Sequence, residues 1–188
     1  MLHRTTDRPG VRQVAPPPDS AIADWYDTAT LLDSFAVGFV RDEGASMRAI
    51  AERALGAPPA WSRALMRVRD GIMRPLGVKT SDMLRRSGHA ANHVDFFRVL
   101  AEYPDEIVLG EDDRHLDFRL SLMFRPASPD TDTEIVATTA VRTHNALGRS
   151  YILAIRPFHL LIVGSTLRRL AKPPAPDRRP ALRPREKH

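Results

Sequence analysis

The chain has 188 residues, with 16 prolines, 10 glycines, 43% hydrophobic and 27% charged residues, which supports one domain with a sizeable core and is short for two. It has no cysteine, which excludes disulfides, a thiolate nucleophile, thiolate zinc sites and iron–sulfur clusters built from its own residues, and fits a reducing, cytoplasmic setting. The net charge is +5, but residues 168–188 hold eight Lys/Arg against two Asp/Glu while residues 21–167 hold 17 against 19, so the excess sits on a tail and specific nucleic-acid binding is not expected.

In chain order, residues 1–19 carry Pro16-Pro17-Pro18 in polar surroundings and are expected to be disordered. The first thirty residues contain no apolar run of signal-peptide length, so export is not expected. Residues 20–172 are read as a single domain and 173–188 as a disordered, basic, proline-rich tail. Phe35, Val37 and Phe39 alternate with small residues as in a short strand. Ser46 then caps a helix whose Met47, Ile50, Ala51, Ala54 and Leu55 follow the helical period and which Gly56 ends. Pro58-Pro59 opens a second helix with Trp61, Leu65, Val68 and Ile72 on one stripe.

From Val94 the period becomes two. Phe97, Val99, Ala101 and Tyr103 predict one strand and Ile107 to Leu109 a short one, with Gly110 to Asp113 as a turn. Leu116, Phe118, Leu120, Leu122 and Phe124 alternate with His115, Asp117, Arg119, Ser121 and Met123 in the clearest strand. Pro126 to Asp132 reads as a turn and Glu134 to His144 as a β-branched strand. Gly148 to Leu170 reads as a long C-terminal helix, kinked or restarted at Pro157. Its run Tyr151 to Val163 is apolar almost all round, the pattern of a helix enclosed by other structure, and is broken by Arg156, Pro157 and His159, so no membrane span is expected. These elements make an α+β domain, with a curved antiparallel sheet around the last helix as the expected arrangement.

Three stretches carry a family resemblance: Trp61-Ser-Arg-Ala-Leu-Met-Arg-Val-Arg-Asp70, Val108-Leu-Gly-Glu-Asp-Asp-Arg-His-Leu-Asp-Phe-Arg119, and His144-Asn-Ala-Leu-Gly-Arg149 with Tyr151 and Ile155-Arg-Pro-Phe-His159. Over Ala23 to Ala171 the chain resembles the bacterial family known as domain of unknown function 2867. The resemblance implies a helix-grip fold similar to the START and Bet v 1 type, with two shorter helices after the first strand and a cavity between sheet and terminal helix. It also implies a possible reductase-like protein partner, because some relatives are fused to a short-chain-reductase-like domain. That fold usually has six or seven strands, whereas periodicity yields about five, which directs attention to residues 79–94.

No phosphate-binding loop, dinucleotide fingerprint or nucleophile elbow is present, so no cofactor is expected in this chain. His115, Asp117 and Arg119 project from one strand face at i, i+2 and i+4; they are either a base with its orienting carboxylate or a solvated outer face. His144, Asn145, Gly148 and Arg149 form a polar corner, read as a latch to Asp112, Asp113 or Asp117, or as an anion site at the helix start. His159 lies mid-helix as either a bonded core histidine or a ligand contact. His89 and His93 have helical metal-pair spacing in a segment that is a poor helix, and no metal site is expected. The expected function is binding of a small apolar or amphipathic molecule, lined by Phe35, Val37, Leu116, Phe118, Leu120, Ile152 and Ile155, with Arg119, Arg142, His144, Arg149, Tyr151 and His159 as further contacts. The alternatives are an acid–base enzyme of cyclase, dehydratase or isomerase type using His115, Asp117 or His144, and a module docking on a reductase-like partner.

Overall fold

Alternating side chains in a long β-hairpin set the frame on which everything else is placed. The computed structural model describes residues 10–39, 44–56, 92–95, 97–128 and 131–171. The elements are β1 (Arg12–Gln13), a 3-10 helix (Ala23–Thr28), β2 (Leu31–Gly38), α1 (Met47–Leu55), β3 (His93–Val94), β4 (Phe97–Glu102), β5 (Glu106–Asp112), β6 (Leu116–Ser128), β7 (Thr131–Thr143) and α2 (Ala146–Leu170). The strands form one antiparallel sheet in the order β1-β2-β7-β6-β5-β4-β3. This α+β architecture, a seven-stranded sheet with a C-terminal helix, is compatible with a helix grip. The second short helix expected after Pro58, with Trp61 and its stripe, lies outside the described residues, as does His89.

Register separates two faces. Leu116, Phe118, Leu120, Leu122 and Phe124 of β6 share the inner face with Ile135, Ala137 and Val141 of β7 and Leu31, Phe35 and Val37 of β2, against the two α-helices. Asp117, Arg119, Ser121 and Arg125 share the outer face with Thr138, Ala140 and Arg142, and with Ser34 and Ala36. The main core joins Val37, Ile107, Leu109, Leu122 and Ile135 to Met47, Ile50, Ala51 and Ala54 of α1 and to Leu167 and Leu170 of α2. Burying side chains of this size stabilises by about 1.5–3 kcal/mol each. Ser46 caps α1 by accepting from the Ala49 N–H, as its position in the sequence predicts.

Three expectations are corrected. Residues 10–19 lie on the sheet instead of outside the domain: β1 pairs with β2, the Val14 N–H reaches the Ser34 carbonyl, and buried Pro17 accepts from the Tyr26 hydroxyl at 3.0 Å. Proline lacks a donor, so a proline-rich segment can lie on an outer face without leaving N–H groups unpaired. Gly110 to Asp112 continue β5, and the turn is Asp113 to His115. Gly110 opposes Arg119, and a side chain there would run into the Phe118 carbonyl, so glycine fits because two strands approach closely. Finally, α2 is covered on one side, not all round: Ile152, Leu167 and Leu170 are buried, whereas Leu153 is 73% exposed and Leu161 58%. The strand count rises to seven through β1 and through β3, which pairs with β4 in the region where a strand was sought.

Asn145 starts α2 three residues before Gly148 by accepting from the Gly148 N–H, and the helix runs through Pro157 as one element. By length and composition α2 is also apolar enough to cross a membrane, and little of its most apolar stretch is buried. Arg156, Pro157 and His159 do not remove that property.

Candidate functional site

At the start of α2 a polar corner joins the helix to the β5–β6 turn. The Asn145 side chain caps the helix with its oxygen and points its nitrogen at His115 Nδ1, 3.0 Å away. His144 Nε2 lies 3.0 Å from Asp117 Oδ2, and the other oxygen of Asp117 accepts from the Asp113 N–H. A side chain at Gly148 would collide with the His115 carbonyl, which in turn accepts from the His144 N–H. The corner is therefore a latch in which His144 and Asn145 hold the helix entrance. Arg149 is exposed and makes no ion pair with a described residue, and Asp112 pairs instead with Arg119 at 2.6 Å.

On the outer face Arg119 and Arg142 both lie against the Trp25 ring, their guanidinium carbons 4.1 and 4.0 Å from its centroid. Arg142 also donates to the Asp24 carbonyl. Cation–π contact of two arginines with one indole pins the 3-10 helix to the sheet. Arg119 and Asp117 thus point away from α2, with His115 at the turn. Phe118 and Ile155 pack on the inner side in the cluster with Leu31, Val141, Ile152 and Tyr151, and Phe118 makes an edge contact with Phe97.

The inner face holds a different kind of group. Asp33 of β2 is 7% exposed and sits between Leu31, in the cluster at the start of α2, and Phe35, packed on the main core. His159 of α2 reaches it, with Nε2 3.2 Å from Oδ1 and 3.1 Å from Oδ2. Thr139, also buried, lies opposite Asp33 on β7. An imidazole bonded to a carboxylate through Nε2 has its ring fixed and keeps Nδ1 for a second partner. Of the candidates read from sequence, His159 alone enters this pair. Asp33 was missed, although an aspartate two residues before the alternating Phe35, Val37 and Phe39 is a signal, since it falls in the buried register.

The phenol of Tyr26 has its pKa raised above the usual 10.0, chiefly by burial, with Glu106 adding to the rise and Ser20 opposing it. Among the described residues no three His, Asp or Glu side chains group so as to hold a metal ion. No curated protein and no solved structure matches the chain. A family model does match, over residues 25–166, a span that includes Trp25, Asp33, the polar corner and His159. With three quarters of its length matched, the chain belongs to the family described as protein of unknown function DUF2867.

Proposed function

We propose that this domain is a helix grip of the START and Bet v 1 kind that binds a small amphipathic molecule between the inner face of its sheet and α2, with the Asp33–His159 pair as polar anchor. One observation carries the reading. Asp33 is buried on the otherwise apolar inner face of β2, and its carboxylate is met by a histidine from the helix instead of by solvent. Burying such a pair is no better for folding than an apolar pair of similar volume. Small-molecule sites, by contrast, are mostly apolar walls with a few placed polar groups. Leu31, Phe118, Val141, Ile152 and Ile155 supply such walls beside the pair.

The test is a thermal-stabilisation screen with acyl chains, polyketides and aromatic probes. A binder present at a hundred times its Kd stabilises the fold by about 2.7 kcal/mol. At least one probe is expected to raise the melting temperature of the natural chain, and to lose that effect in the Asp33→Leu/His159→Leu double variant. No stabilisation by any probe, or an unchanged shift in the double variant, overturns the reading. The bidentate approach of Asp33 to Nε2 also favours a second reading, acid–base chemistry at Nδ1 of His159. Conversion of a bound probe that His159→Gln abolishes while binding persists would select it.

A further inference from the structure

α2 leaves Leu153, Phe158, Leu160 and Leu161 in solvent, 43–73% exposed. By the helical period Leu161 and Phe158 lie on the side away from Ile152, His159, Thr166 and Leu170, which face the sheet, and Leu153 and Leu160 lie on one flank. Four large apolar side chains exposed on one helix mark an interaction surface. Its surroundings are basic. α2 contains Arg149, Arg156, Arg168 and Arg169 and no acidic residue, and Arg149, Arg156 and Arg168 are exposed. The sequence continues directly from α2 into residues 172–188, with six Lys/Arg against two Asp/Glu, and residues 57–91 hold seven against two. Residues 1–56 and 92–145 together hold eleven against nineteen. Charge is thus divided: α2 and the sequence that follows it are positive, whereas residues 92–145 before it hold five Lys/Arg against eleven Asp/Glu.

That division identifies what covers the face. A second copy, packed by two-fold symmetry, would oppose α2 with the same charges. Nucleic acid would pair with the arginines and leave the leucines unused. A surface both apolar and anionic satisfies both features. We propose that α2 lies in the plane of an anionic lipid bilayer interface, with Leu153, Phe158, Leu160 and Leu161 at the headgroup–acyl boundary and Arg149, Arg156 and Arg168 on lipid phosphates. The helix does not span, because its other side is committed to the core through Ile152, Leu167 and Leu170 and to Asp33 through His159. This inference stands without any ligand between sheet and helix.

The full chain is to be sedimented with vesicles of phosphatidylcholine alone and of equal parts phosphatidylcholine and phosphatidylglycerol. Binding to the anionic vesicles only, weakened by salt, is expected. Leu153→Ser/Leu161→Ser, at two exposed positions, lowers it by at least about tenfold with an unchanged circular dichroism spectrum. Arg149→Gln/Arg156→Gln weakens it as well, a separate route should the first variant misfold. Absence of binding to anionic vesicles overturns the proposal, as does binding that the leucine substitutions leave intact, which would be tail electrostatics alone. It is equally overturned by resistance to alkaline extraction, the mark of a spanning helix, or by a concentration-dependent dimer that the leucine substitutions abolish.

Discussion

The two faces of the sheet use charge in opposite ways. On the outer face charged groups tie down the N-terminal segment. Glu106, 6% exposed, accepts from the hydroxyls of Ser20 at 2.6 Å and Ser121 at 2.5 Å and from the Ala21 N–H at 2.8 Å. Glu134, 2% exposed, takes Arg12 from β1 and Arg125 from β6, and Arg119 and Arg142 lie against Trp25. Each of these contacts joins residues 10–30 to the sheet or braces a strand that does. On the inner face, apolar contact holds the helices, and the Asp33–His159 pair sits between two clusters that already fix α2 at both ends.

Breaking the outer arrangement has the largest expected effect. Glu106→Ala removes an acceptor shared by three donors and leaves the Ser20 and Ser121 hydroxyls and the Ala21 N–H short of partners in a buried site. A loss of about 3 kcal/mol or more is expected in urea unfolding, since each buried unsatisfied group costs roughly 1–3 kcal/mol. The two serines, 3.4 Å apart, can recover part of it by bonding to each other. A loss below about 1 kcal/mol would mean that residues 10–30 are held chiefly by the apolar contacts of Ile22, Trp25 and Tyr26.

The inner pair should behave differently. Asp33→Ala leaves His159 facing a small void without its acceptor, and a loss of about 1–3 kcal/mol is expected. Asp33→Leu/His159→Leu replaces both partners with apolar groups and should restore stability to within about 1 kcal/mol of the natural chain. A stable double variant that binds nothing separates a functional pair from a structural one. A double variant as unstable as the single would show that the pair holds α2 on the sheet.

Legibility in the sequence followed the strength of the local period. Leu116 to Phe124 alternate without interruption, so β6 and its inner face could be read directly, and from them the outward direction of Asp117 and Arg119. β1 could not be read, because two residues carry no period and its partner Ser34 to Ala36 is contributed by another strand. The end of β5 was hidden for a related reason. Gly110, Glu111 and Asp112 have poor strand propensity, and only their register against Arg119, Phe118 and Asp117 makes them a strand. Asp33 was hidden by the placement of the strand start at Phe35, whereas β2 begins at Leu31. The apolar character of α2 was legible, but its meaning was not. Composition reports that a helix is greasy on every side without saying what covers each side.

The smallest expected effect probes how the outer segment closes. Burial raises the Tyr26 pKa above 10.0, and the protonated phenol donates to the Pro17 carbonyl. A raised value means that the folded state holds the proton more tightly than the unfolded chain does. Its contribution is therefore fully present below pH 10.0 and is lost as pH rises through the folded value. Tyr26→Phe removes the donor at every pH. It should be less stable than the natural chain by about 0.5–1.5 kcal/mol at neutral pH, with the difference shrinking above the ordinary phenol range as the natural chain loses its proton. Groups common to both chains cancel in that difference, so its pH dependence reports on Tyr26 alone. A gap that stays constant into strong alkali would mean that the folded and unfolded chains hold the phenol proton equally, and no gap at any pH would place the stabilisation in the packing of the ring, which Tyr26→Phe keeps, against Ile22, Val108 and Ala140.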